Sequence, residues 1–197
     1  IWTGWWRSYG SYGSCISKWD TKTDEITVFE DLVDDLAIEH MMIWDDCIVF
    51  TAFRYGNGLP QDKNYPSAIF KMDKSGKILE RKDIKGELGR FAAIGYNGII
   101  RLDDKLYSID LRNFEMNSID IKVDQLAVIH PYKAYILVMD SQNVLLLDPV
   151  TGQIYDRCDS GGAEIYDFCV KGDTIWATDE DGWIIKVEVS KEFIYEI

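Results

Sequence analysis

The two histidines of the chain and one of its four cysteines fall at matching places in a repeated pattern. His40, His130 and Cys169 are each the fifth residue of short β-type stretches that align with one another. Imidazole and thiolate groups are ligands that zinc prefers in proteins. The three residues are therefore a candidate metal site, and the alternative is that they are polar residues that line a channel or lie in the core.

A polar insertion at residues 54–66 is rich in side chains that recognise ligands. It combines aromatic rings, amides and an arginine with glycine and proline. Long loops of this kind often carry function in otherwise regular folds. The candidate ligand-binding residues are Arg54, Tyr55, Asn57, Asp62, Asn64 and Tyr65. The alternative is a surface insertion without function.

Acid–base chemistry has a small set of candidates. Glu39 and Asp167 lie beside the aligned histidine and cysteine positions, and paired carboxylates serve glycosidases. The chain contains no nucleophile elbow, phosphate-binding loop, HExxH motif or EF-hand loop. A hydrolase of the glycosidase or lactonase kind, using His40, His130, Glu39 and Asp167, is therefore the alternative to a non-catalytic role.

The charge balance excludes two classes of partner. With 34 acidic and 21 basic residues, the formal net charge is −13, which repels nucleic acid and anionic membrane surfaces. The densest basic stretch, Lys71 to Lys85, is interleaved with acids. No apolar run reaches the length of a membrane-spanning helix, and no signal-peptide pattern is present. We expect a soluble protein whose compartment the sequence does not indicate.

A repeat organises the whole chain. The repeated pattern begins with an apolar run that ends in an acidic residue, and a polar turn and a second β-type run follow it. The acidic residues of successive copies are spaced by 53, 37, 38 and 40 residues. Alternating apolar residues and turn-forming Gly, Asn, Pro and Asp predict antiparallel hairpins, with four strands per repeat. The predicted units are approximately 1–33, 34–85, 86–123, 124–160 and 161–197, with the insertion 54–66 in the second.

Tandem repeats of four antiparallel strands without helices are typical of a β-propeller. A single blade cannot bury both of its faces, so blades stack on one another. The sequence therefore predicts an all-β propeller of four-stranded antiparallel blades with about five units. The first unit lacks an innermost strand, which leaves two alternatives: a piece of a six- to eight-bladed ring, or a self-contained ring of five.

The stretch Leu147-Asp148-Pro149-Val150-Thr151-Gly152 resembles the strand–turn signature of quinoprotein-like (PQQ-type) and YVTN-type propeller repeats. A partial match occurs at Asp73-Lys74-Ser75-Gly76. The resemblance implies the propeller fold, with Asp and Thr-Gly shaping a tight turn between the two outer strands, and it implies no specific activity. Residues that would hold pyrroloquinoline quinone are not recognisable, so we expect no cofactor.

Together these features favour a binding module over an enzyme. In propellers, the connection that carries the insertion lies on the same face as the loops between blades. We expect this rim to include residues 31–35, 85–87 and 160–162, and to capture a protein or glycan ligand. An acidic rim favours a basic protein segment, a cation or a neutral glycan over polyanions.

Overall fold

The computed structural model describes residues 1–56, 58–60, 64–162, 165–179 and 181–188. None of these residues is helical, and they form the following strands. The strands are β1 Trp2–Trp6, β2 Ser14–Asp20, β3 Glu25–Phe29, β4 Ala37–Trp44, β5 Cys47–Phe53, β6 Ser67–Asp73, β7 Ile78–Ile84, β8 Leu88–Ile94, β9 Asn97–Leu102, β10 Lys105–Asp110, β11 Glu115–Lys122, β12 Val128–Tyr132, β13 Tyr135–Met139, β14 Asn143–Leu147, β15 Ile154–Asp159, β16 Ile165–Lys171, β17 Thr174–Asp179 and β18 Ile184–Glu188.

The strands form five small antiparallel sheets, each built from strands consecutive in sequence. The first and last sheets have three described strands, β1 to β3 and β16 to β18, and the other three have four. Sheets of this kind, following one another without helices, are the blades of a β-propeller. The predicted all-β propeller with five units is confirmed.

The chain divides into two compact units, residues 1–90 and 91–197. In the first unit, one face of β2 packs against the sheet of β4 to β7, around buried residues such as Ile16, Phe50 and Phe70. The rings of Phe50 and Phe70 stack with centroids 4.9 Å apart. The middle strands β5 and β6 are almost entirely buried.

The second unit has two apolar clusters. One joins the sheets of β8 to β11 and β12 to β15 around Ile99, Ile136 and Leu147. The other joins the sheet of β12 to β15 to the last sheet, around Leu137 and Phe168. Each described blade of this unit therefore contributes apolar side chains to a neighbouring blade.

Aspartates close the turns between the two outer strands of the second and fourth blades. The Oδ1 atom of Asp148 accepts hydrogen bonds from the amides of Val150 and Thr151 and from the Thr151 hydroxyl. Asp73 accepts equivalent bonds from the amide and hydroxyl of Ser75 and from the amide of Lys77. These bonds favour the ionised carboxylate and lower the pKa of both aspartates.

The glycine that ends each of these turns lies against an outer strand of the preceding blade. A Cβ atom at Gly152 would be 2.4 Å from Cδ1 of Ile119, and one at Gly76 would be 2.2 Å from the Phe29 ring. Both glycines have positive φ, 70° and 91°. The turn is thus shaped for close docking between consecutive blades, which only glycine permits.

No helix among the described residues is long and apolar enough to cross a membrane.

Candidate functional site

Three connections of the first unit meet at one end of its sheets. They are residues 7–13 between β1 and β2, 30–36 between β3 and β4, and the described part of 54–66 between β5 and β6. We call them the loop cluster. The Tyr12 hydroxyl donates a 2.7 Å hydrogen bond to the Pro60 carbonyl, and Tyr12 forms an isolated antiparallel bridge with Gly56. The insertion is therefore tied to the first blade.

Arg54 lies at the centre of the loop cluster. Its guanidinium carbon is 4.2 Å from the centre of the Tyr12 ring and 4.4 Å from that of Tyr65. A carboxylate oxygen of Asp35 is 3.7 Å from its Nη1 atom, and the side chain is only 20% exposed. A planar cation between two aromatic faces joins the elements that carry them. Arg54 therefore holds the loops together.

Aromatic rings form the outer part of the same cluster, and Trp6 at the end of β1 packs with them. The Tyr55 ring packs on Trp6, with centroids 4.8 Å apart, and the Trp6 indole donates to the Ile38 carbonyl at 2.7 Å. Trp6 is nevertheless 49% exposed and Tyr9 is 77% exposed. The Tyr9 ring lies directly on the backbone of Gly58. Large aromatic rings that are fixed yet exposed are suited to binding.

Three aspartates of the connection 30–36 each pair with an arginine. Asp31 accepts from Arg7 at 2.6 Å, and Asp34 accepts from Arg81 at 2.7 Å. The third pair is the Asp35–Arg54 pair described above. The aspartate is the more exposed member of every pair, with side-chain exposures of 80%, 64% and 57% against 46%, 33% and 20% for the arginines. The surface therefore presents carboxylate oxygens although the pairs are formally neutral.

The candidate ligand-binding residues from the sequence are partly brought together here. Arg54 contacts Tyr65 in the loop cluster, whereas the Tyr55 ring contacts Trp6 and Phe53, and Asn64 is exposed. Asn57 and Asp62 lie outside the described residues. A role of these residues in ligand binding stays a prediction.

Sequence reasoning missed the contribution of residues 7–13. Tyr12 and Tyr9 lie in a turn with Gly10 and Gly13, which have positive φ. Aromatic residues alternating with glycine were the available signal. Their contacts with the insertion, however, join residues as far apart as 48 positions.

The three candidate metal ligands occupy strands. His40 is half-buried opposite Thr51 in the first unit. In the second unit, the His130 ring packs on Phe168 with centroids 5.5 Å apart, and Cys169 is exposed opposite Trp176. No group of three His, Cys, Asp or Glu side chains within the described ranges could hold a metal ion. The metal hypothesis therefore stays a prediction without support from the geometry.

The acid–base candidates are strand residues as well. Asp167 is exposed on β16, and its carboxylate accepts a 2.9 Å hydrogen bond from the next amide of the strand. Glu39 is half-buried on β4, at a point where the pairing with β5 shifts register. The assignment of either residue to catalysis stays a prediction.

A polar cavity of about 590 Å³ lies where β14 begins and β15 ends, in the second unit. Gly161 and Gly162 of the predicted rim loop 160–162 line part of it. Buried Asp140 accepts hydrogen bonds from the backbone and side chain of Asn143, whose amide oxygen in turn accepts from Arg157. This chain of bonds positions the guanidinium at the cavity. The lining residues are Ser141, Gln142, Asn143, Arg157, Asp159, Gly161 and Gly162.

The chain was compared with solved structures. The β-propeller domain of Myceliophteria thermophila Cps50 (Swd1) aligns with the whole chain at 11% identity and a TM-score of 0.66, and the alignment covers 71% of that domain. The fold is a β-propeller. A chain of the mitotic checkpoint complex aligns with 89% of this propeller at 7% identity and a TM-score of 0.64. The computationally designed Ika4 protein aligns with 78% of it at 13% identity and a TM-score of 0.60.

The propeller spans 58% of the mitotic checkpoint complex chain and 56% of a further neighbour, KlHsv2 with a replaced loop. Identities this low show the fold alone. No protein-family model matches the sequence, and no curated protein matches it significantly.

Proposed function

We propose that this propeller is a non-catalytic protein-interaction module that captures a basic segment of a partner protein on the loop cluster. The observation that carries the proposal is the exposure of the three carboxylates. In each Asp–Arg pair the arginine is the more buried member, so Asp31, Asp34 and Asp35 offer oxygens to an incoming cation. Complementary charge steers association and selects partners.

Tyr9 of the loop cluster and Trp6, the last residue of β1, supply the apolar part of the interface. Trp6 and Tyr9 are exposed, whereas their positions are fixed by the contacts with Tyr55 and Gly58. Rings with few rotatable bonds lose little entropy on binding, and Trp and Tyr are the common anchors of protein interfaces. They also attract Lys and Arg side chains to their faces.

The comparisons favour a protein as the ligand in one respect. One of the neighbouring folds was solved within the mitotic checkpoint complex, which is an assembly of proteins.

The finer resemblance, to quinoprotein-like and YVTN-type repeats, is supported by the turn at Asp148 and stays a proposal. We also propose that residues 1–197 form a single propeller domain or part of one, with units 1–33, 34–85, 86–123, 124–160 and 161–197.

Two peptides of equal length test the function. A lysine- and arginine-rich peptide and a glutamate-rich peptide, each with one tyrosine, are titrated into the full chain by isothermal calorimetry. The proposal expects saturable binding of the basic peptide that weakens as salt rises, and no binding of the acidic one. Capture of neutral oligosaccharides in place of the basic peptide would contradict the proposed ligand class.

A further inference from the structure

The outer strand β15 of the fourth blade carries two opposite charges at the polar cavity. Arg157 and Asp159 are two residues apart, so the alternation of a strand places their side chains on the same face of the sheet. Both side chains line the cavity, and the other described lining residues are uncharged. The described wall of the cavity therefore holds one cationic and one anionic group.

The two charges do not pair with each other. Neither Arg157 nor Asp159 forms an ion pair with any residue that the structure describes. The guanidinium donates to the amide oxygen of Asn143, and Oδ1 of the Asp159 carboxylate accepts the Gly161 amide at 2.7 Å. Each charged group is thus held by a neutral partner, which leaves its charge uncompensated.

The same spacing gives an ion pair on another outer strand. On β7 of the second blade, Nε of Arg81 lies 2.8 Å from Oδ1 of Asp83, and these two residues are also two apart. Both β7 and β15 are the fourth strands of four-stranded blades. The geometry of a strand therefore permits such a pair. On β15 the bond to Asn143 replaces it.

The bond between Arg157 and Asn143 depends on a buried network. Asp140 is 5% exposed and Asn143 is 9% exposed. Oδ1 of Asp140 accepts bonds from the amides of Gln142 and Asn143 and, at 3.2 Å, from the side-chain nitrogen of Asn143. The carboxamide of Asn143 is thus fixed with its oxygen toward the guanidinium. Satisfied buried networks are rigid, so the position of Arg157 is set in advance of any ligand.

The cavity has room and further hydrogen-bonding groups for a small molecule. Its volume of about 590 Å³ is within the range of ligand pockets. A Cβ atom added at Gly161 or Gly162 would have no heavy atom within 4 Å apart from those of its chain neighbours. The Ser141 hydroxyl and the Gln142 carboxamide make no hydrogen bond with other described residues, although their backbone amides do. A polar ligand can therefore bind these two side chains.

We propose that this cavity binds a small zwitterion, namely a free amino acid with a polar, uncharged side chain. Arg157 binds the carboxylate of the ligand and Asp159 binds its ammonium group, because each is a charge-assisted hydrogen bond. Ser141 and Gln142 bind the polar side chain. A ligand with one charge leaves the opposite group of the cavity without a partner. A zwitterion has no net charge, so the net charge of −13 does not repel it.

This inference is independent of the loop cluster, which belongs to the other unit. Isothermal calorimetry of the full chain with L-glutamine, L-asparagine and L-serine tests it. At least one of the three is expected to bind with a dissociation constant of about 1 mM or lower. Two derivatives of that amino acid, one N-acetylated and one with the α-carboxylate converted to an amide, each lack one charge. Both should bind at least about tenfold more weakly.

Two variants locate the site. Arg157→Gln and Asp159→Asn should each weaken binding of the amino acid by about tenfold or more. Their matched controls are Arg112→Gln and Asp120→Asn, which make the same charge changes elsewhere in the second unit and should bind as wild type does. All four residues are exposed, so no buried group is removed, and thermal unfolding checks that each variant is folded.

Three results would overturn the proposal. The first is a wild-type chain that binds none of the three amino acids. The second is equal affinity for the amino acid and for its singly charged derivatives, because that would mean that the two charges do not recognise the ligand. The third is unchanged affinity in the folded Arg157→Gln and Asp159→Asn variants.

Discussion

The hydroxyls of Ser14 and Ser67 make the same pair of hydrogen bonds in consecutive blades. Ser14 donates to the Leu36 carbonyl at 2.9 Å and accepts from the Ile38 amide at 3.2 Å.

The Ser67 hydroxyl makes the corresponding bonds at the start of the next blade. It donates to the Gly86 carbonyl at 2.5 Å and accepts from the Leu88 amide at 3.2 Å. Both serines are 1% exposed. Each hydroxyl thus joins one blade to the next where no strand pairing reaches.

Replacement of either serine should destabilise the protein. Ser14→Ala or Ser67→Ala leaves a buried carbonyl and a buried amide without their partner, which costs about 1–3 kcal/mol of unfolding free energy. Urea denaturation measures the loss. Ser118→Ala, at an exposed position of β11, is the control and should change the unfolding free energy by less than about 0.5 kcal/mol. Equal effects of all three substitutions would contradict the bridging role.

The turn glycines should tolerate no side chain. Gly152→Ala adds a Cβ 2.4 Å from Ile119 at a residue with φ of 70°. Strain and collision together should lower the unfolding free energy by about 2–3 kcal/mol.

Gly172→Ala separates the two causes. Gly172 has a similar φ of 63°, but nothing lies within 4 Å of its Cβ position. Thermal unfolding should show a smaller loss for this variant, and Ile119→Ala should partly rescue Gly152→Ala. Identical losses at 152 and 172 would mean that backbone strain, and not docking between blades, requires glycine at 152.

Acid should weaken the protein through the turn aspartates. Hydrogen bonds lower the pKa of Asp73 and Asp148 in the folded state. A lowered folded pKa contributes stability that is present above the unfolded pKa, about 3.9, and is lost as the pH falls through the folded value. The urea concentration at the midpoint of unfolding should therefore decrease as the pH is lowered below about 4. Asp148→Asn should show a shallower fall, and a curve parallel to wild type would contradict the assignment.

The stacked arginine can be tested by a double-mutant cycle. Arg54→Lys replaces the planar group between the Tyr12 and Tyr65 rings by a compact ammonium, and Tyr65→Leu removes one ring. The two substitutions should be coupled by about 0.5–1 kcal/mol in unfolding free energy. Tyr65→Phe, which retains the ring face, should behave like wild type. Additive effects would mean that the stack does not hold the loops.

The blades could be predicted from the sequence because the patterns that indicate their strands and turns are local. The alternation of apolar and polar residues within strands and the turns at Asp73 and Asp148 depend only on residues that are close in the sequence. Both features occur in more than one repeat. The insertion was likewise recognisable from its composition. The partners of Arg54 were not, because Tyr12 reaches it only through the docking of one blade on another. Ser14 and Ser67 were missed for the same reason, since a single small polar residue at a strand start has no distinctive pattern.

Neutralisation of the loop acids tests the proposed function most directly. Asp31→Asn, Asp34→Asn and Asp35→Asn are combined, since Asn tolerates the left-handed conformation of residues 31 and 34. The matched control neutralises Asp24, Asp45 and Asp103, which are exposed turn residues with similar φ values. Both variants change the net charge equally.

The measurement is the dissociation constant of the lysine- and arginine-rich peptide, by calorimetry at physiological salt. The account predicts that the loop-cluster variant binds about tenfold or more weakly than wild type, whereas the control variant binds nearly as well. Equal weakening in both variants would mean that only the overall negative charge attracts the peptide. That result would contradict a binding site at Asp31, Asp34 and Asp35.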